Sequence, residues 1–295
     1  MHADKVRLPD FIILGAEKAG TTWLGKRLNE QSGIFLSHPL ELHYFDHEEN
    51  YSRGAGWYAT HFKDAGAGEL VGEKTPGYLW AVRPADAGPH DIPERIHKLV
   101  PNARLIVVLR DPVDRAISAM NHAIRYRHLS PFAKADKVFS LAFEVDRDRF
   151  GLIGQGLYAR NLERYLKVFP REQIRVLFFE DDIIKAPQDA LAGIMQFLGG
   201  TAGSSPEKKR RSGNLLAGRQ WWPENKRMHS RTGLILNYYA PAFAPLIAGV
   251  DRLLPEQPAI SPTAECRERL YQYFLPHNRA LFDLIGRSTS AWNAS

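Results

Sequence analysis

A glycine-containing turn with one lysine and two threonines follows the first apolar run of the chain. This turn, Gly15–Thr22 (GAEKAGTT), joins the strand-like segment Phe11–Gly15 to Thr21–Leu28, which has helical spacing. The backbone N–H groups of such a turn and of a helix N-terminus bind anions, and the Lys18 ammonium adds a positive charge. The pattern therefore predicts a P-loop-like strand–loop–helix that binds phosphate.

The position of the lysine distinguishes this turn from a Walker A loop. In a Walker A loop the lysine directly follows the second glycine, and the next Ser or Thr holds magnesium. Here Thr21 occupies the lysine position, and Lys18 comes before the second glycine. No predicted strand ends in the metal-binding aspartate of a nucleotide hydrolase. We therefore expect phosphate binding without a metal, and we predict no metal ligands.

A second candidate anion site follows the most strand-like segment of the chain, Arg104–Leu109 (RLIVVL). Arg110 comes at the end of this strand, and Asp111 and Pro112 suit the start of a helix that carries Ser118. An arginine fork and a hydroxyl suit a second phosphate group. On these residues alone, an Arg110–Asp114 surface pair and a serine on the helix face are the favoured interpretation.

Strand and helix patterns alternate along the chain, which predicts an α/β fold. Further strands are predicted at 70–73 and 174–179, and further helices at 92–100, 111–127, 158–169, 187–198 and 263–286. The segments 130–156 and 201–230 are predicted to be loops. We expect one domain with a central parallel sheet flanked by helices, and ligands at the carboxyl ends of the strands.

The 295 residues fit a single domain, 1–295, with an N-terminal arm at 1–10 and a variable region at 201–262. The uncharged stretch 233–250 contains an asparagine and two prolines, so we predict an apolar cap instead of a membrane span. The single cysteine, Cys266, excludes a disulfide framework within the chain and favours a reducing compartment. With no signal-peptide pattern at the N-terminus, we expect a cytoplasmic protein.

The two anion sites together resemble the paired signature of sulfotransferases that use 3′-phosphoadenosine-5′-phosphosulfate (PAPS). The resemblance covers residues 11 to about 182 and again 263–287. It is closest to heparan sulfate glucosaminyl 3-O-sulfotransferases and N-sulfotransferase domains. Four further segments stand in the same order along the chain as the matching motifs of those enzymes: Glu41–Asp46 (ELHYFD), Gly56–Tyr58 (GWY), Glu73–Tyr78 (EKTPGY) and Ile92–His97 (IPERIH). It implies a bacterial-type enzyme that moves a sulfuryl group from PAPS to a hydroxyl, in preference to an amine. The implied acceptor is a carbohydrate, a glycan-like compound or a natural product, and a lipophilic metabolite also stays open.

The resemblance also assigns co-substrate contacts. It implies that the 5′-phosphosulfate is bound by Lys18, Ala19, Gly20, Thr21, Thr22 and Trp23. The 3′-phosphate would be bound by Arg110 and Ser118. Tyr158 would line the co-substrate pocket, and packing in the core is an equally open role for it. A basic loop closes over the co-substrate in this family, and the candidates here are Arg211, Gly218 and Arg219.

The resemblance further implies the catalytic groups. Glu41 would be the general base, with its pKa raised by burial against Tyr44 and Phe45. Lys18 would stabilise the oxygen that bridges phosphate and sulfate, and Lys74 would neutralise the sulfuryl oxygens or the acceptor region. His43 and Asp46 would orient the acceptor or Glu41.

Two other functions remain open at this stage. A P-loop kinase would require magnesium and ATP, which the displaced lysine argues against. A polyanion- or nucleic-acid-binding module would use the net charge of +6 and the basic run Lys208–Arg211. We expect no nucleic-acid partner, and the sequence leaves the oligomeric state open.

Overall fold

The computed structural model describes residues 7–200 and 259–292, apart from residues 85, 87, 145–147 and 149. Its centre is a five-stranded parallel sheet in the order β2-β3-β1-β4-β5. The strands are β1 (Phe11–Gly15), β2 (Ile34–Leu36), β3 (Leu70–Lys74), β4 (Arg104–Leu109) and β5 (Ile174–Phe178). The parallel α/β architecture predicted from the sequence is confirmed. The three-residue strand β2 was not predicted, because so short an apolar run has no period.

Helices connect the strands and cover the sheet. They are α1 (Thr21–Asn29), α2 (Glu48–Tyr51), α3 (Gly54–Thr60), α4 (Ile92–Leu99), α5 (Pro112–Arg125), α6 (Ala135–Ala142), α7 (Tyr158–Leu166), α8 (Pro187–Phe197) and α9 (Ala264–Ile285). The prediction of an irregular loop at 130–156 is wrong for α6, where Phe139 and Ala142 are buried. A π-helix, Phe179–Lys185, follows β5 directly.

Local chemistry fixes the start of α5, the helix that follows β4. The Asp111 carboxylate accepts a hydrogen bond from the backbone N–H of Asp114 at 2.8 Å, and Pro112 occupies the first helical position. Arg267 of α9 donates to the Asp114 carboxylate at 2.6 Å. The C-terminal helix is thereby tied to α5.

The central strands β1 and β4 are buried on both faces, as the apolar run of β4 predicts. Gly72 of β3 leaves room for the ring of Phe11, since a Cβ atom at Gly72 would lie 2.2 Å from that ring. The large apolar area removed from water at these strands makes the sheet a rigid support for the loops at its carboxyl edge.

Among the helices within the described ranges, none is long and apolar enough to cross a membrane. The predicted apolar cap, 233–250, and nearly all of the variable region 201–262 lie outside the described residues. The proposed division of the chain into an arm, a domain and a variable region stays a prediction.

Candidate functional site

The loop that joins β1 to α1 has the shape of an anion cradle. Gly20, the N-cap of α1, has φ +91°, and a Cβ atom there would lie 2.7 Å from the ring of Phe179. Glycine is therefore required both by the backbone conformation and by the space. The first turn of α1 contains no acidic residue, so its N–H groups and the helix dipole favour an anion.

Lys18 lies among charged side chains of this loop and of neighbouring segments. Its side chain is half-buried, and burial lowers the pKa of its ammonium, as do the nearby charges of Arg125 and Arg110. The carboxylates of Glu17 and Glu41 act in the opposite direction and favour the charged form. The structure thus brings Lys18 into electrostatic range of Glu41, the predicted base, and of Arg110.

Arg110 contacts the phosphate loop, although 92 residues separate it from Lys18. Its Nη1 atom donates to the Lys18 carbonyl oxygen at 3.3 Å, and its guanidinium lies over the ring of Phe179 at 5.1 Å. The alternative Arg110–Asp114 pair is also present, but its N–O distance is 4.0 Å. Among the described residues, the buried Nε atom of Arg110 has no hydrogen-bond partner. The two candidate anion sites therefore adjoin each other.

The other predicted co-substrate residues lie around these two. Ser118 is half-buried on α5, eight residues after Arg110. Tyr158 is buried, and its hydroxyl donates to the Arg110 carbonyl oxygen at 2.8 Å, so it holds the end of β4 in place. Ala19 and Thr21 are buried in the phosphate loop, and Thr22 and Trp23 are half-buried. The predicted closing-loop residues, Arg211, Gly218 and Arg219, lie outside the described residues.

Four of the five predicted catalytic residues, all except Lys18, form one contact network. Lys74 Nζ donates to Glu41 Oε1 and also to Thr22 Oγ1 at 3.4 Å. His43 Nε2 lies 3.8 Å from Glu41 Oε2, and its Nδ1 lies 3.1 Å from Asp46 Oδ2. Lys74 therefore connects Glu41 to the phosphate loop, and His43 connects it to Asp46.

Burial and neighbouring carboxylates shift the pKa of the His43 imidazole in opposite directions. Burial lowers its pKa, but the hydrogen bond and charge of Asp46 and the charge of Glu41 outweigh burial and raise the pKa above its ordinary value. Because Asp46 is buried, its carboxylate faces little water that could screen this effect. His43 is therefore held in one orientation with its Nε2 atom toward Glu41.

The prediction that Tyr44 and Phe45 bury Glu41 is wrong. The Glu41 side chain is 44% exposed. Tyr44 and Phe45 turn into the core instead, where the ring of Tyr44 stacks on that of Tyr58 at 4.4 Å. The physical reason is a turn of the backbone: His43 has a φ of +48° and residues 44–46 form a turn, which directs both aromatic side chains into the core.

A buried carboxyl group, Glu73, lies beneath the 41–46 loop. It is fully buried and accepts hydrogen bonds from Thr75 Oγ1 at 2.9 Å, from Tyr78 OH at 2.7 Å and from Tyr58 OH. Burial raises its pKa to about 7, although the three hydrogen bonds act to lower it. Sequence analysis noted Glu73 only as part of a motif, because the motif does not show that its carboxyl group is buried or that Tyr58 of α3 donates to it.

This carboxyl group supports the loop that carries Glu41. Thr75 Oγ1 accepts from the backbone N–H of Leu42 at 3.1 Å, and Tyr78 OH accepts from that of Tyr44 at 2.8 Å. Each hydroxyl therefore donates to Glu73 and accepts from the loop. The arrangement fixes the position of Glu41 relative to β3 and Lys74.

Comparison with known proteins agrees with this geometry. The model of a family described as "Sulfotransferase domain" matches residues 8–212. The human protein heparan sulfate glucosamine 3-O-sulfotransferase 5 is 30% identical over 204 residues, which are 67% of this chain and 55% of that protein. The membrane-associated sulfotransferase kil1 of Dictyostelium discoideum is 26% identical over 65% of this chain and 56% of its own. The chain spans about half the length of these curated relatives.

A solved structure, that of a sulfotransferase from Alicyclobacillus acidocaldarius, shares the fold. The TM-score is 0.68 at 24% identity, with 97% of this chain and 99% of that chain covered. The family model covers most of the described residues, and this match leads to one conclusion. The chain belongs to the family of proteins with a sulfotransferase domain.

Proposed function

We propose that the protein transfers a sulfuryl group from PAPS to a hydroxyl of a carbohydrate or glycan-like acceptor and releases 3′,5′-ADP. Family membership and the relatives support the proposal. One observation carries it: Lys18, Arg110 and Glu41 come from three separate loops and meet at one edge of the sheet. A lipophilic metabolite is the second acceptor class.

The residues present fit a nucleotide phosphorylated at both ends. The cradle at Gly20, which a Cβ atom would fill, and the N-terminus of α1 suit the 5′-phosphosulfate. Arg110 has a buried Nε atom without a partner among the described residues, and Ser118 lies on the next helix. We assign the 3′-phosphate to these two residues.

PAPS would supply the sulfuryl group and the leaving phosphate. In the proposed transfer, the acceptor oxygen forms a bond to sulfur as the bond from sulfur to the bridging oxygen breaks. Glu41 takes the proton of the acceptor hydroxyl, and its exposed carboxylate is open to an acceptor from solvent. Lys18 stabilises negative charge on the bridging oxygen. Lys74 and His43 hold the Glu41 carboxylate from two sides.

We propose that no metal is needed for this chemistry. In the described part of the chain, His43, Asp46 and His47 place potential ligand atoms within 4.8 Å of one another. The two imidazole rings are stacked at 4.6 Å with 16° between their planes. Because ring nitrogens bind metals in the ring plane, the two lone pairs do not point at a common position.

The substitution Glu41→Gln tests the role of the base. We expect turnover of PAPS with an acceptor to fall by at least about 100-fold, because proton transfer contributes on that order. Binding of 3′,5′-ADP, measured by thermal shift in EDTA, should stay unchanged. The matched variant Lys18→Met should weaken that binding. An active Glu41→Gln enzyme would remove the assigned role.

The same measurements separate the alternatives. A kinase would bind ATP only with magnesium and would show no stabilisation by 3′,5′-ADP in EDTA. A polyanion-binding module would show affinity that falls steeply with salt and does not depend on Glu41 or Lys18. A cytoplasmic location stays a prediction, which fractionation of the source cells tests.

A further inference from the structure

The segment 286–292, which follows α9, packs against the carboxyl end of β5. Trp292 of this segment is buried, with only 3% of it exposed. Its ring lies 5.0 Å from that of Phe178, the last residue of β5, and 5.6 Å from that of Phe282. The proposed transfer gives this segment no role.

Two acidic residues of the π-helix after β5 hold the segment in place. Asp182 accepts two hydrogen bonds from the guanidinium of Arg287, both at 2.8 Å. Such paired bonds fix orientation as well as position. Glu180 Oε2 accepts a hydrogen bond from the indole N–H of Trp292 at 2.9 Å. The position of Trp292 relative to the π-helix is therefore well defined.

Trp292 contacts two side chains that meet at the end of β4. Glu180 uses its other oxygen, Oε1, to accept from the backbone N–H of Asp111 at 3.0 Å. The ring of Trp292 lies 5.7 Å from that of Tyr158, whose hydroxyl donates to the Arg110 carbonyl oxygen at 2.8 Å. That carbonyl and that N–H belong to one peptide unit. Trp292 thus contacts both side chains that fix the peptide unit between Arg110 and Asp111.

This peptide unit sets the direction in which the Arg110 side chain leaves the backbone. The chain turns here, because Arg110 follows β4 and Asp111 is already the N-cap of α5. The guanidinium lies 5.1 Å from the ring centre of Phe179, and its Nη1 atom reaches the Lys18 carbonyl oxygen at 3.3 Å. A binding group must be held within about 0.5 Å of its productive position by the residues around it. A tilt of the peptide unit would therefore displace the guanidinium from the proposed phosphate position.

We propose that Trp292 is a positioning residue for the co-substrate. Through Glu180 and Tyr158 it orients Arg110 toward the 3′-phosphate, and it does not touch the nucleotide itself. This inference rests on the proposed function, in which Arg110 binds that phosphate, and it adds a determinant of the same site from the C-terminal segment.

Two nucleotides isolate the contribution of the 3′-phosphate. Adenosine 5′-monophosphate (AMP) has the 5′-phosphate of 3′,5′-ADP but lacks the 3′-phosphate. Both dissociation constants are measured by calorimetry on the full chain, and the value for AMP divided by that for 3′,5′-ADP gives an affinity ratio. We expect this ratio to fall about fivefold in Trp292→Phe, the size of one hydrogen bond. Phenylalanine keeps a buried ring but lacks the N–H that Glu180 accepts.

The variant Glu180→Gln tests the same link from its other side. It should lower the affinity ratio by a similar factor, because an amide N–H group can then face the indole N–H. The double variant Trp292→Phe/Glu180→Gln should lose no more than the larger single loss, since both changes break one hydrogen bond. The control is Trp57→Phe, a half-buried position of α3 where the ring lies against those of Tyr44 and His61. It should leave the ratio unchanged.

Three results would overturn the inference: an unchanged ratio in Trp292→Phe, an equal loss of affinity for both nucleotides, or losses that multiply in the double variant. A purely structural role of Trp292 would lower the stability in chemical denaturation without changing the ratio. A wild-type protein that binds 3′,5′-ADP no more tightly than AMP would overturn the proposed function, and this inference with it. The two failures are therefore distinguishable.

Discussion

Replacing Glu73 by glutamine removes the charge of the buried carboxyl group beneath the 41–46 loop. Its pKa is about 7 in the folded protein, against an ordinary value of 4.5. The folded state therefore binds the proton more tightly than the unfolded state between these values. By linkage, the stability that this proton contributes is present at acidic pH and is lost as the pH rises through 7.

The size of the effect follows from the two pKa values. Between about pH 5 and about pH 8, titration of this one group lowers the free energy of unfolding by roughly 2 to 3 kcal/mol. Glutamine does not titrate, so Glu73→Gln should lose this part of the pH dependence. Its amide oxygen can still accept from Thr75 and Tyr78, as Glu73 Oε1 does now.

The assay is chemical denaturation of both proteins at the two pH values. Other titrating groups are common to both, so the difference between the two pH responses isolates Glu73. We expect the wild-type protein to lose roughly 2 to 3 kcal/mol more stability than Glu73→Gln on going from acid to alkaline buffer. Exposed Glu163→Gln serves as the control. Parallel pH profiles for wild type and Glu73→Gln would refute the assignment of a raised pKa to this carboxyl group.

Two further substitutions test the loops. Thr75→Val removes the acceptor of the Leu42 N–H and the donor to Glu73, so kcat should fall about tenfold. The affinity for 3′,5′-ADP, measured by calorimetry, should not change. A loss of nucleotide affinity in proportion to the loss of kcat would contradict this expectation. Gly20→Ala should lose about 2 kcal/mol more stability than Gly33→Ala in chemical denaturation, because both have positive φ but only Gly20 faces a ring at 2.7 Å. Equal losses of stability in the two variants would show that the Phe179 ring moves aside without cost.

The main elements of the fold could be predicted because their patterns are local. The apolar run of β4 and the capping residues of α5 specify their structures within a few residues. β2 and α6 could not be predicted: β2 has three residues, and the apolar positions of α6 lie among polar ones. Their structure depends on the neighbouring sheet and helices more than on their own sequence.

The residues of the candidate site also divide into those that a local pattern predicts and those that depend on contacts between distant segments. Lys18 and Arg110 could be found because each follows a recognisable strand. The contact between Lys74 and Glu41 spans 33 residues and depends on the pairing of β2 with β3, which no local pattern shows.

The strand order has a consequence for how such a protein can change over time. The proposed nucleotide contacts follow β1 and β4, which are neighbours at the middle of the sheet, whereas the 41–46 loop follows β2 at its margin. A marginal strand has a neighbour on one side only, so substitutions around this loop that keep Glu41 and the hydrogen bonds from Leu42 and Tyr44 disturb few other connections. Substrate preference can therefore diverge among descendants of this chain while the donor site is inherited intact.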